Sequence, residues 1–531
     1  MSSRCWMILA LILILYVILS LNRLADFPPM SQDEPWIASA PYKLVTQGVY
    51  GSDLFTGYYG MDQHDFDHMP VYPLLQAAVF RLLGAGAFQM RLLPVSLGFV
   101  LLLLVVAAGY QLGNAWIGIL AATLLIILRV GGDDGSTGIL VLDLARINRY
   151  DIAVPVFGLM AFLAFNRAER DGFSRWYALT GLFVGLSTLS HLYGVFWLPV
   201  VLVVMICRRG RHLLKQPAPI WILAGFLAAV LPWLAYIATN WTDYLNQTRS
   251  MADRYDVFRP SFYVTNLMNE IDRYRPIGLF SGASGWVGRP GVWALLLGIP
   301  VALGVMLWQL RNHARDAGFT LAVAATVQPL LFALLLKAKT FAYLVALWPL
   351  GALALAWFAM WLWSRKNSGT IRAALALLLV LILTEGALRV ANTWKLAQET
   401  TSYEEFTRKV SLCIPADSLV LGLQHYWLGL RNYPYRSWLV PSYLTRPLYN
   451  NPPLTMDEAL ERVRPDVVLI DRYMNQYFER IQNAGDTDHH LYEGFQNFMQ
   501  RHSAELQCTV EDRTYGTMRV YVLKQTPSST Q

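Results

Sequence analysis

Apolar segments long enough to cross a bilayer recur along most of this chain, and that feature leaves few folds open. Of 531 residues, 55% are hydrophobic and only 15% charged, a membrane composition. A bilayer core of about 30 Å needs roughly 18 or more apolar residues per helix. Segments of this kind fall at about 5–22, 89–111, 115–130, 152–166, 176–190, 192–207, 219–239, 292–310, 318–336, 341–363 and 371–392, which predicts eleven crossings. The first has Arg4 ahead of it and no small-residue cleavage site behind it, so it reads as a retained transmembrane helix.

Charge then sets the orientation. The short loops NRAERDGFSR, RRGRHLLK, RNHARD and SRKN are rich in Arg and Lys, which assigns them to the cytoplasmic side. The segments 23–88, 131–151 and 240–291, and everything after about residue 393, then face the opposite side, outside the cell or in the periplasm, with the bundle in the inner (plasma) membrane. The net charge of +7 is explained by this topology and gives no reason to expect nucleic acid as a partner.

The first external loop is organised. In PWIASAPYKLV, Ile37, Ala40 and Leu44 recur near helical spacing, and Gly48 is placed to end the helix. VYPLLQAAVFRLL repeats the pattern with Val71, Leu74, Leu75, Ala78, Val79 and Leu82. Both helices are too short to span and amphipathic enough to lie at the interface. After residue 393 the texture becomes that of an external α/β domain, 394–531. DSLVLGL and DVVLID read as buried strands, TMDEALERV opens with a Thr455–Glu458 capping box, and TMRVYVL alternates like a final strand. Cys413 and Cys508 are the two cysteines of this region, a candidate disulfide.

The chemistry gathers in the external loops. Asp33 and Glu34 are adjacent at the start of the first juxtamembrane helix. One reading is capping, with Ser31 and Glu34 as a box; the other is a catalytic carboxylate at the bilayer surface. His64, Asp65, Asp67 and His68 have ligand chemistry for Zn or Mn, but four residues in five positions cannot all converge on one ion without an irregular loop. A solvated turn is the expectation, with no metal and no cofactor. His191 stands at the external end of a helix pair, and Arg149 with Asp151 precedes another helix, where Asp151 could equally serve the helix dipole.

Taken as a set, DEPWIASAPYKLVTQGVYG, then DHMPVYPLLQAAVFRLLGAGAFQMRLLPVSLGF, and later KAKTFAYLVALWPLGALAL resemble polyprenyl-phosphate-sugar glycosyltransferases of the GT-C superfamily, such as protein O-mannosyltransferases and the lipid A aminoarabinose transferase (glycosyltransferase family 39). The matching residues are Asp33-Glu34, Pro70, Arg91 to Pro94, and Lys339, Tyr343 and Pro349. The resemblance implies a GT-C fold. It also implies transfer of a sugar from a polyprenyl-phosphate donor to a hydroxyl of a lipid, glycan or protein acceptor, with inversion. Asp33 would be the general base with Glu34 beside it, and Asp67, His68, Arg149, Asp151, His191, Arg259, Lys339 and Tyr343 would form the substrate site. The sequence departs from the aminoarabinose group where a lysine precedes the helix-starting proline: here the run is Asp67-His68-Met69-Pro70. Phosphate binding then falls to a protonated His68 or to other cations, drawn from Lys337, Lys339, Arg254, Arg259, Arg273 and Arg275, each of which could also simply snorkel.

A transporter or flippase with an accessory domain is the competing class. Transporters carry internal repeats and polar groups at the bilayer midplane; here the polar residues sit in external loops and at helix ends, which favours interfacial chemistry. A non-catalytic assembly or receptor protein is the third.

Overall fold

A computed structural model describes residues 2–131, 135–252, 256–277, 289–310, 316–365, 369–483 and 485–524. The loop RNHARD, apart from Asp316, and the candidate cation Arg254 lie outside the described residues.

Every expected span falls on helix. Among the described residues, eight helices or helix runs are long and apolar enough to cross a membrane, including Ser3–Leu21, Ala87–Gln111, Tyr150–Asp171, Ala218–Thr239 and Ala317–Leu335. Ala115–Ile127 and Trp348–Trp363 are shorter apolar helices. The chain is a multi-pass membrane protein. Aliphatic and small side chains dominate the bundle core, and small ones allow close helix approach. Tyr16 of the first helix donates to the Val95 carbonyl at 2.8 Å, and a Cβ at Gly98 would stand 2.0 Å from the Tyr16 hydroxyl, so only glycine lets that helix seat there. Three of the basic loops meet at one end of the bundle. Arg208 and Arg209 reach Glu169 at 3.2 and 2.7 Å, and Arg208 also reaches the Asp316 carbonyl.

The first loop carries two short helices, Asp33–Gln47 and Val71–Leu83. Gly48 ends the first in the left-handed region at φ 75° with its N–H on the Leu44 carbonyl. Nothing stands within 4 Å of a Cβ built there, so the backbone angle is what calls for glycine. The second helix buries Tyr72, Pro73, Gln76, Ala77 and Phe80. Leu74 and Leu82 are exposed, on an outward apolar face suited to the interface.

The C-terminal segment forms a five-stranded sheet from β1 (Val420–Gly422), β2 (Tyr435–Ser437), β3 (Val467–Ile470), β4 (Glu505–Asp512) and β5 (Gly516–Val522), in the order β2-β1-β3-β5-β4. β1 pairs in parallel with β2 and β3, while β5 is antiparallel to β3 and β4. The three expected strands are β1, β3 and β5. β3 is buried along its length, which explains its unbroken apolar run. β2 and β4 carry no comparable signal: β2 is three residues long and β4 is largely exposed. The Thr455–Glu458 capping box is complete, and Cys413 is bonded to Cys508. The sheet and the first loop share one core, in which Phe55 and Tyr58 pack with Leu421, Tyr426 and Trp438. Arg436 of β2 donates to the Asp53 carbonyl at 2.9 Å.

Candidate active site

The two adjacent acids face different surroundings. Glu34 is fully buried and takes a bidentate fork from Arg91, 2.7 Å to each carboxylate oxygen. The N–H groups of Ser31 and Asn148 donate to the same carboxylate at 2.9 Å each. Asn148 also donates its side-chain amide to the Glu34 carbonyl at 3.0 Å and accepts from Tyr72 at 2.6 Å. A buried ion pair of this kind persists because every lone pair is met. The capping box expected here is half made: Glu34 reaches back to Ser31, but the Ser31 hydroxyl has no partner and Gln32 is the N-cap. Arg91 draws Glu34 away from the reciprocal geometry.

Asp33, one residue earlier, has its side chain 47% exposed. It points into a cavity of about 700 Å³ also lined by Trp36, Asp67, His68, Arg149, Tyr150 and Lys337. Tyr343 adds to that wall from the bundle, and Tyr443, Leu448 and Tyr449 close it from the C-terminal segment. Arg149 pairs with Asp33 through one guanidinium nitrogen and with the fully buried Asp151 through another at 2.8 Å. Tyr193 donates to the second oxygen of Asp151 at 3.1 Å. Asp151, then Asp33, hold the guanidinium charged against its burial and raise the Arg149 pKa. Asp151 therefore orients Arg149 and is not among the cavity's lining residues.

His68 is buried, as is Asp65 at 1% exposure. That corrects the solvated turn expected for residues 64–68. His68 lies 3.4 Å from Asp65 and 3.9 Å from Asp67, edge-on to Trp36. Burial alone would lower its pKa, but the bond and charge of Asp65, with Asp67 and Asp33 behind, raise it overall. His64 turns the other way, to the Tyr236 hydroxyl at 2.9 Å, with its ring stacked on Phe66 and edge-on to Tyr236. Among the described residues no three His, Cys, Asp or Glu side chains converge as metal ligands.

The remaining sites from the sequence separate. His191 packs between Tyr150 and Tyr343, 5.2 Å from each ring, behind the cavity wall. Lys339 bonds Glu270 at 2.8 Å and the Ala333 carbonyl at 2.9 Å; burial lowers its pKa although Glu270 opposes this. Arg273 is buried on the same Glu270. Arg259 is 77% exposed on Asp256 and Arg275 is 74% exposed on Asp272, and neither lines the cavity. Arg91, Asn148 and Tyr72 were not legible as site residues. The one signal was Arg91 near the start of an apolar helix, where an unpaired charge is expensive and implies a buried acid.

The sequence profile of the dolichyl-phosphate-mannose-protein mannosyltransferase family matches residues 67–236. No curated protein sequence matches the chain. The whole fold is similar to solved structures at low identity. ArnT from Cupriavidus metallidurans, in a crystal structure with undecaprenyl phosphate, is 12% identical with a TM-score of 0.59, covering 100% of both chains. In the apo state the TM-score is 0.60 at 13% identity, over 96% of this chain and 97% of that one. The oligosaccharyltransferase AglB from Archaeoglobus fulgidus, in complex with an inhibitory peptide and a dolichol-phosphate, is 13% identical with a TM-score of 0.58, covering 99% of this chain and 75% of that chain. This is the GT-C architecture: an apolar helical bundle with juxtamembrane helices and a C-terminal α/β sheet above them.

Proposed function

We propose that this protein is a membrane glycosyltransferase that moves a sugar from a polyprenyl-phosphate donor to an acceptor hydroxyl, with Asp33 as general base. The observation that carries the reading is the division of labour in the acidic pair: Glu34 is consumed by Arg91, whereas Asp33 faces a cavity that holds cations. The fold supports it, and the binding of undecaprenyl phosphate and dolichol-phosphate by ArnT and AglB gives the donor class.

The step needs few groups. The acceptor oxygen bonds to the anomeric carbon as the bond from that carbon to the phosphate oxygen breaks, and the phosphate departs with the electron pair. Attack opposite the leaving group inverts the centre. Asp33 takes the acceptor's proton. The phosphate is a weakly basic leaving group, so Arg149 and Lys337 on the cavity wall need only hold its charge, assisted by protonated His68. Arg149 is already paired with Asp33, so a phosphate held by it is coupled to the base. Asp151 and Tyr193 fix Arg149 there. The sugar, the lipid length and the acceptor follow from cavity shape, and mass spectrometry of envelope glycans and lipids from a deletion strain identifies the missing sugar and its position. Unchanged envelope composition in that strain, together with no binding of undecaprenyl phosphate by the purified protein, would refute the reading.

A further inference from the structure

The two walls of the Asp33 cavity differ in chemistry. The side formed by the bundle and the first loop's helix start carries charges: Arg149 and Lys337 with Asp33. The side formed by the C-terminal segment is aromatic. Tyr443 and Tyr449 stack with centroids 4.3 Å apart and planes 15° off parallel. Tyr58 of the first loop meets Tyr443 at 5.3 Å, and Phe55 stacks on Tyr443 at 6.5 Å with planes 15° off parallel. Leu448, between the two tyrosines in sequence, is 43% exposed at the rim. The array is anchored: Tyr59 donates to Asn450 at 3.0 Å, and Asn450 in turn donates to the Leu444 and Pro452 carbonyls. It is a built surface joining two distant stretches of chain.

We infer that this aromatic wall is the acceptor subsite and that the acceptor presented there is a saccharide. The inference rests on the glycosyltransferase reading and deepens it. If the donor phosphate lies against Arg149 and Lys337, an acceptor attacking opposite the leaving group enters from the facing wall, which is the tyrosine array. A sugar ring has an apolar face of C–H bonds and a polar rim of hydroxyls. Its face packs on a flat phenol ring while a rim hydroxyl stays free to reach Asp33. A polypeptide acceptor bound by main-chain pairing calls for a different partner, an open sheet edge at the cavity. None of the described lining residues belongs to a strand. The edge strand β2 packs against the first loop, to which the Arg436 side chain donates at the Asp53 carbonyl. The amide best placed to bind a peptide, Gln247, is occupied by the Tyr59 and His64 carbonyls and the Phe66 N–H.

The test uses the full-length protein in nanodiscs, with three probes: undecaprenyl phosphate, a glycan array including bacterial envelope core oligosaccharides, and a Ser/Thr-rich peptide array. The expected result is binding of undecaprenyl phosphate and of one or more glycans, with glycan retention falling roughly tenfold or more in Tyr449→Ala, as expected for loss of a buried ring face. Tyr449→Phe should retain glycans and Leu448→Asn should weaken them, so the inference stays testable if Tyr449→Ala folds poorly. Undecaprenyl phosphate should bind all these variants equally. Donor binding with peptide retention and no glycan retention overturns the saccharide acceptor. Glycan binding indifferent to residues 448 and 449 overturns the subsite. Loss of donor binding in the unaltered protein strikes the glycosyltransferase reading itself.

Discussion

Asp33 and Glu34 are neighbours in sequence and opposites in the fold. Glu34 is sealed among Arg91, Asn148 and Tyr72, with all its hydrogen-bonding capacity used. Asp33 has one ion pair and an open face on the cavity. One carboxylate has been turned into scaffold, and the scaffold fixes the helix start from which the other projects. The difference teaches that a catalytic acid is recognised by what its neighbour is doing as much as by its own position.

The comparison breaks most visibly at Glu34. Sequence alone assigns Glu34 a helix cap worth about 1 kcal/mol, but removing one partner of a fully buried pair costs about 3–5 kcal/mol. Glu34→Gln should lower the thermal midpoint of the purified protein far more than any other single change here, since it strands the Arg91 charge. The double variant Glu34→Leu, Arg91→Met should recover much of that loss. A Glu34→Gln protein as stable as the parent would show that the pair is not what holds the helix start.

Asp33→Asn should leave folding intact and reduce turnover by roughly 100-fold or more, the contribution of a general base. Binding of undecaprenyl phosphate should persist or tighten, because the variant removes a negative charge and releases Arg149 from one of its two carboxylates. Normal turnover would remove Asp33 from the mechanism and make Asp67, the other acid on the cavity wall, the next base to test.

How much of this was legible in the sequence follows from range of interaction. Helices, caps and the buried strands are local and periodic, so Gly48, the Thr455–Glu458 box and β3 could be read directly. The GT-C fold came through a set of motifs spread along the chain. The partition of the two acids was not readable, because Arg91 and Asn148 lie 57 and 114 residues from Glu34 and no local pattern links them. The aromatic wall was hidden for the same reason: Tyr59 and Asn450 are 391 residues apart. The solvated turn at 64–68 was misjudged because polar composition implies water unless something covers it, and here Trp36 and Tyr150 cover His68.

Tyr72→Phe probes the Glu34 side more gently. It removes the hydroxyl that meets the Asn148 amide oxygen in a fully buried position, leaving an acceptor unsatisfied, which typically costs about 1–2 kcal/mol. Turnover should fall little if Asn148 still holds Glu34. A stability loss as large as that of Glu34→Gln would mean that Asn148, and not Arg91, is the principal partner.

The gentlest test lies on the Asp33 side and is a matter of pH. His68 has a folded-state pKa above its ordinary value, since Asp65, Asp67 and Asp33 together outweigh the burial that would lower it. A group whose pKa rises on folding contributes stability that is complete below the unfolded value, about 6.5 for imidazole, and that disappears as pH climbs through the folded value. The protein should therefore lose a small amount of stability as pH is raised from about 6 to about 8 across the imidazole range. The His68→Gln variant should lose that slope while keeping the fold. The same titration removes a positive charge from the cavity wall, so over that interval affinity for undecaprenyl phosphate in the parent should fall relative to His68→Gln, the ligand's own titration at about pH 6 being common to both. The effect is the smallest of the four because burial and carboxylates pull the imidazole in opposite directions. Its sign is diagnostic: stability that rises with pH would mean that burial wins, that His68 is neutral in the folded protein, and that Arg149 and Lys337 meet the donor phosphate without it.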